Sequence, residues 1–119
     1  MKSLVAVYGS LRKGLGNHRF LTSSKFLGKD VITGFNMYSL GAFPYVTPTK
    51  GSNTIVVEVY EVNDNVFLSL DALEGYPTFY DRMKITTKYG YAWIYFIKDY
   101  GKHPKVVSGD WVKFYKGDV

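Results

Sequence analysis

The chain has no cysteine, and its two histidines, His18 and His103, lie far apart with no ligand partner at metal spacing. A disulfide framework, thiolate chemistry and a zinc centre therefore have no basis in the sequence, and no metal or cofactor is expected. No apolar run approaches the length of a membrane span. Before Gly9 only a brief apolar stretch follows Lys2 and Ser3, too short for a secretory leader. These absences favour a cytoplasmic protein with no membrane partner. Charge is also unconcentrated: the net +5 comes from lysines spread between Lys2 and Lys116. No basic block suggests a nucleic-acid groove.

What is present suits one domain spanning residues 1–119. Hydrophobic residues make up 46% of the chain, enough for a core without staples. Leu4–Tyr8 reads as a strand, and Asn17 as the N-cap of a short helix through about Ser23. Lys25–Leu40 contains two extended runs broken at Gly28 and Gly34, and Gly41–Tyr45 reads as a loop because Pro44 restricts Phe43. Thr54–Val62 is rich in β-branched residues and reads as a central strand. Val66–Glu74 is the clearest helix, ended by Gly75 and Pro77. Tyr80–Lys88 and Tyr91–Lys98 form a hairpin around Gly90, and a last strand lies near Trp111–Tyr115. The pattern is α+β: a small mixed or antiparallel β-barrel with two flanking helices.

Two places attract chemistry. The first is Tyr8-Gly9-Ser10-Leu11-Arg12-Lys13-Gly14, where a buried strand runs into a glycine turn. Gly9 allows a sharp turn with N–H groups open to a ligand, and Arg12 and Lys13 suit an anion. The segment is not a P-loop, since no Gly-Lys-Ser/Thr follows, and Arg19 stands where a dinucleotide fingerprint needs its third glycine. Ser10 has no evident histidine base. The second place is the end of the predicted helix, where Phe67, Leu70 and Glu74 share a face. A carboxylate on that face loses water, and its pKa rises toward the range of a general acid/base. The competing reading leaves Glu74 half exposed at the helix end and paired with Arg82. Asp71 is equally a solvated helix residue or a partner for a cation. Tyr89, Tyr91, Trp93 and Tyr95 alternate on the hairpin, as a base-stacking stripe or as a pocket wall.

Taken together, Tyr8–Gly14 with Asn17-His18, Leu70-Asp71-x-x-Glu74-Gly75, Tyr80-x-Arg82, Ala92-x-Ile94-Tyr95 and Ser108-Gly109-Asp110-Trp111 resemble the gamma-glutamylcyclotransferase-like superfamily, in order and over nearly the whole chain. The resemblance implies a barrel with a cavity at the C-terminal end of the first strand. It implies that the backbone of Gly9, Ser10 and Leu11 holds the glutamyl end of a substrate, with Tyr8 as a wall. It assigns the acid/base role to Glu74, and Tyr80 and Tyr95 to the pocket. The implied reaction is release of 5-oxoproline and a free amine from a gamma-glutamyl amine or peptide. A binder of a gamma-glutamyl-like metabolite without turnover is the alternative. Arg12 and Lys13 then become surface or supporting residues. The short chain leaves little room for the loops that shape leaving-group choice in larger members.

Overall fold

A strand of Val, Ile and Tyr that is apolar on both sides must be covered on both sides, and this requirement organises the molecule. The structure, a computed structural model, describes residues 2–98 and 100–117. β1 (Lys2–Val7) lies at the middle of a five-stranded sheet. β5 (Thr54–Asn63) flanks it antiparallel on one side, and β7 (Gly90–Phe96) runs parallel to it on the other. β2 (Lys25–Thr33) and β6 (Asp81–Thr87) form the two edges. A separate ribbon pairs β3 (Phe35–Ser39) with β4 (Pro44–Pro48).

Alternate residues of the same strands feed two cores. Ala6, Val57, Val59, Ala92 and Ile94 pack toward the ribbon and toward α2 (Trp111–Tyr115), whose Trp111 is buried among them. Val5, Val7, Tyr60, Val62 and Tyr95 pack toward α1 (Asp64–Glu74) through Leu70, and toward a 3-10 turn (His18–Leu21) through Leu21. The mixed α+β class, the strand Thr54–Val62, the helix ending at Glu74 and the hairpin around Gly90 follow the sequence reading.

Several expectations are corrected. The sheet does not close into a barrel, because its edges β2 and β6 share no ladder among the described residues. They are linked through side chains: Asp30 Oδ2 accepts from the Lys88 N–H at 2.9 Å, and Tyr89 donates to the Lys29 carbonyl at 3.1 Å. Gly28 does not break β2. It sits at a register shift, where a Cβ would collide with the Tyr89 hydroxyl. Part of the expected loop is strand β4, which tolerates Pro44 at its first position. Trp111–Tyr115 is a helix rather than a strand. The Asp110 carboxylate accepts from Val112 and Lys113 N–H at 3.1 and 3.3 Å, and this cap overrides the strand preference of the aromatic residues. The predicted helix after Asn17 is reduced to the 3-10 turn, and the Asn17 side chain does not cap it.

Arg12, first read as a ligand for anions, is one of the most deeply buried side chains. Its Nε donates to Glu58 Oε2 at 2.9 Å and its Nη1 to Asp110 Oδ1 at 2.8 Å. Glu58 Oε1 also accepts from Lys13 N–H at 3.0 Å and from the Tyr60 hydroxyl at 2.9 Å. One guanidinium thus joins the segment after β1, the middle of β5 and the cap of α2. Lys13 lies at the surface over the Phe26 ring. Replacing Arg12 by Met strands two acidic groups, one of them fully buried. The expected cost in urea unfolding is about 3–5 kcal/mol, the range for breaking a buried ion pair by removing one partner. A loss below about 1 kcal/mol contradicts the pinning role.

Candidate functional site

The segment after β1 is shaped by contacts that leave the N–H groups of Ser10 and Leu11 free. Gly9 packs against the Pro44 ring: a Cβ there would stand 2.9 Å from two ring carbons. This close approach is the local reason for glycine. The Gly9 carbonyl accepts from Arg12 N–H at 3.0 Å and the Ser10 carbonyl from Asn17 N–H at 3.0 Å. The Leu11 carbonyl is 2.9 Å from His18 Nδ1. Asn17 Nδ2 donates to Ser10 Oγ at 2.8 Å. His18 is therefore turned to Leu11 and is not a base for Ser10. Among the described residues, the N–H groups of Ser10 and Leu11 donate to no other protein group.

Glu74 arrives from the far side on a helix with two well-made ends. The Asn63 side chain accepts from Val66 N–H at 2.8 Å. At the C-terminus Gly75 adopts φ 67°, with Gly75 N–H to Ala72 O and Tyr76 N–H to Asp71 O, the Schellman arrangement. Val66, Phe67, Leu70, Asp71 and Glu74 face inward, so the last turn carries two carboxylates toward the sheet.

Their surroundings differ. Asp71 Oδ1 accepts from the Tyr95 hydroxyl at 2.7 Å and lies 3.0 Å from Arg82 Nε. That guanidinium is also ringed by Phe67, Tyr76 and Trp93, with centroids 4.2–4.6 Å away. Arg82 thus belongs to Asp71, and the expected pairing with Glu74 does not form. Glu74 has no hydrogen-bond or ion-pair partner among the described residues. Burial alone pushes its carboxyl up to about 7.

The site residues named from the sequence (Tyr8, Gly9, Ser10, Leu11, Glu74, Tyr80 and Tyr95) all line one cavity of about 380 Å³. The three tyrosines enter it as walls with their hydroxyls already engaged. Tyr8 donates to the Tyr95 carbonyl at 2.8 Å, Tyr80 to the Pro44 carbonyl at 2.6 Å, and Tyr95 to Asp71. Burial holds the Tyr8 and Tyr80 hydroxyls well above the ordinary phenol range, and Glu74 adds to this. They remain protonated. Of the hairpin stripe only Tyr95 reaches this cavity; Trp93 lies against Arg82, Tyr89 reaches β2, and Tyr91 is exposed.

Sequence reasoning missed Asn17 as a lining residue and the apolar side made by Phe43, Leu73 and Phe79. Asn17 was readable in the motif but was assigned to capping. The apolar residues come from loops and a helix end, where periodicity carries no facing information. The arrangement can hold an acceptor-bearing group at neutral N–H donors and move a proton through one carboxyl.

The chain is similar to known proteins over most of its length. The family described as gamma-glutamyl cyclotransferase, AIG2-like, matches residues 5–113. The gamma-glutamylcyclotransferase family protein YtfP of Escherichia coli K12 is 38% identical over 109 residues, 91% of this chain and 95% of that protein. The crystal structure of an uncharacterized Pyrococcus horikoshii protein superimposes with a TM-score of 0.85 at 33% identity, covering 97% and 94% of the two chains. An AIG2-like protein from mouse shares the fold, with a TM-score of 0.77 at 23% identity over 92% and 88%. No helix among the described residues is long and apolar enough to cross a membrane.

The raised Glu74 pKa has a stability consequence. The folded state holds this proton more tightly than the unfolded chain, so stability conferred by the protonated form falls as pH rises from about 4.5 to about 7. Glu74→Gln should therefore unfold at a higher temperature than the parent at pH 8 and gain little at pH 5. The difference is on the order of 2 kcal/mol. Equal melting curves at pH 8 would show that the carboxyl is not desolvated.

Proposed function

Because the chain belongs to the gamma-glutamyl cyclotransferase, AIG2-like family, we propose that it releases 5-oxoproline and a free amine from a gamma-glutamyl amine or peptide, with Glu74 as general acid/base. The observation that carries this reading is the pairing within one cavity of an unpartnered carboxyl near neutral pKa and the free N–H groups of Ser10 and Leu11.

The substrate's α-amine attacks its own γ-carbonyl carbon. Glu74 takes a proton from the attacking nitrogen as the ring C–N bond forms. The tetrahedral intermediate collapses, the bond to the leaving nitrogen breaks, and Glu74 returns the proton to that nitrogen. One carboxyl serves both steps because its affinity for the proton lies near the working pH. Folding the glutamyl chain so that its two ends meet supplies much of the rate, since nucleophile and electrophile share a molecule. The Gly9–Leu11 segment serves as the cradle for this fold. N–H groups there are the donors available to a developing oxyanion. Tyr8, Tyr80 and Tyr95 exclude water and set the shape.

A panel of gamma-glutamyl amines and amino acids, with 5-oxoproline followed by mass spectrometry, tests the reading. At least one member should be turned over. Its kcat/KM should rise with pH through about 7, as Glu74 ionises in the free enzyme. Glu74→Gln should lose about 100-fold or more and lose that limb, within the range for removing a general acid/base. Full activity of Glu74→Gln, or no turnover of any compound, rejects the proposal.

A further inference from the structure

Ser10 and Asn17 are joined twice. The Asn17 N–H donates to the Ser10 carbonyl at 3.0 Å, and Asn17 Nδ2 donates to Ser10 Oγ at 2.8 Å. The other end of the amide is also engaged. Arg19 Nη1, which donates to the Gly16 carbonyl at 2.7 Å, lies 3.4 Å from Asn17 Oδ1. Ser10 and Asn17 are both half-buried, and both line the cavity that holds Glu74.

A serine hydroxyl has one proton to give and two lone pairs to receive with. At Ser10 the Asn17 amide takes up a lone pair, and among the described residues the hydroxyl proton has no acceptor. This polarity is wrong for a nucleophile. Serine attack needs an acceptor for the hydroxyl proton, whereas Asn17 presents a donor and His18 is turned to the Leu11 carbonyl. The same polarity is right for a donor, because an N–H bond received at the oxygen polarises the O–H bond and strengthens what it can give.

We infer that the Ser10 hydroxyl is a catalytic donor to the γ-carbonyl oxygen of the substrate, and that Asn17 is the positioning residue that turns it into the cavity. The inference rests on the cyclotransferase reading above and assigns two side chains to it. As the α-amine closes on the γ-carbon, the carbonyl π pair moves onto oxygen. The hydroxyl meets that charge beside the N–H groups of Ser10 and Leu11. When the intermediate collapses, the pair returns to the carbonyl and the bond to the leaving nitrogen breaks. The hydroxyl proton is shared and never transferred; the proton that moves between the nitrogens is carried by Glu74. A dedicated positioning side chain favours this role over one on the α-carboxylate of the glutamyl unit. Charge already present in the bound substrate can draw any free hydroxyl toward itself. Charge that lasts only as long as the intermediate rewards a donor already in place.

A double-mutant cycle on Ser10→Ala and Asn17→Ala tests this, run on the gamma-glutamyl compound of the panel that the parent turns over best. Ser10→Ala should lower kcat by about 100-fold with KM nearly unchanged, as for loss of one oxyanion donor. Asn17→Ala should lower kcat by about tenfold, a part of that effect, because the hydroxyl survives but is no longer held. In the Ser10→Ala background, Asn17→Ala should cost less than about twofold, since the group it positions is gone. In all three variants the rise of kcat/KM with pH through about 7 should stay where it is in the parent, because Glu74 is untouched. Melting curves supply the folded fraction by which each rate is divided. Additive losses in the double variant, a Ser10→Ala effect confined to KM, or a Ser10→Ala rate equal to the parent's overturns this inference and leaves the cyclotransferase reading standing. No turnover of any panel compound by the parent removes both.

Discussion

The Arg12 guanidinium, buried between Glu58 and Asp110, is the interaction on which the site's geometry depends. A charge so far from water is tolerable only when its donors are matched, and here the match comes from two segments distant in sequence. Asp110 does double duty, since the oxygen that receives Arg12 also caps α2. Burial alone would raise the Asp110 pKa. Its hydrogen bond and attraction to Arg12, with the two cap N–H groups, outweigh that and hold it below its ordinary value. Removing the guanidinium would therefore disturb α2 as well as the turn after β1. Such a network fixes where segments go more than it adds stability. Here it ties the segment that follows Ser10 and Leu11 to β5 and to the cap of α2.

Against that fixed edge, the helix end places Glu74 by a different means. The Schellman closure at Gly75 ends α1 with its last turn still facing the sheet. Asp71 and Glu74, one turn apart, thereby enter the same neighbourhood with different partners. Asp71 has the Tyr95 hydroxyl and Arg82, and its role is to hold a wall and absorb a cation. Glu74 has neither. Two carboxyls on one helix face are thus separated into a structural acid and a free one by what surrounds each.

Much of this was legible in the sequence because it is local. The helix Val66–Glu74, its Gly75 stop and the strand Thr54–Val62 follow from caps, periodicity and β-branched content. The spacing of Glu74 to Phe67 and Leu70 leaves two readings open, a desolvated carboxyl or a half-exposed partner of Arg82. What was not legible depends on contacts across the fold. The choice of Asp71 over Glu74 as the partner of Arg82 is decided by how β6 passes α1, which no spacing reveals. Arg12 reads as a surface cation until Glu58 and Asp110 are brought to it. The helix at Trp111–Tyr115 was misread because a single capping aspartate outweighed four residues of β-prone composition. Closure of the sheet failed for a similar reason. Gly28 and Tyr89 let the edges meet at a side chain, and no pattern in the strands indicates that a ladder is lacking there.

The proton affinity proposed to matter at Glu74 comes from what its neighbours are prevented from doing. Three tyrosine hydroxyls enter the cavity walls, and any of them free to donate would lower a carboxyl pKa. Each instead donates elsewhere: Tyr8 and Tyr80 to backbone carbonyls, Tyr95 to Asp71. The Arg82 guanidinium is held by Asp71 and enclosed by three aromatic rings. Desolvation is then left unopposed, and the carboxyl rises to about 7. A site built this way is sensitive to its second layer of contacts. Loss of the Asp71 carboxylate, which accepts from Tyr95 and pairs with Arg82, would free both a donor and a cation, lowering the affinity of Glu74 for the proton without touching the residue itself.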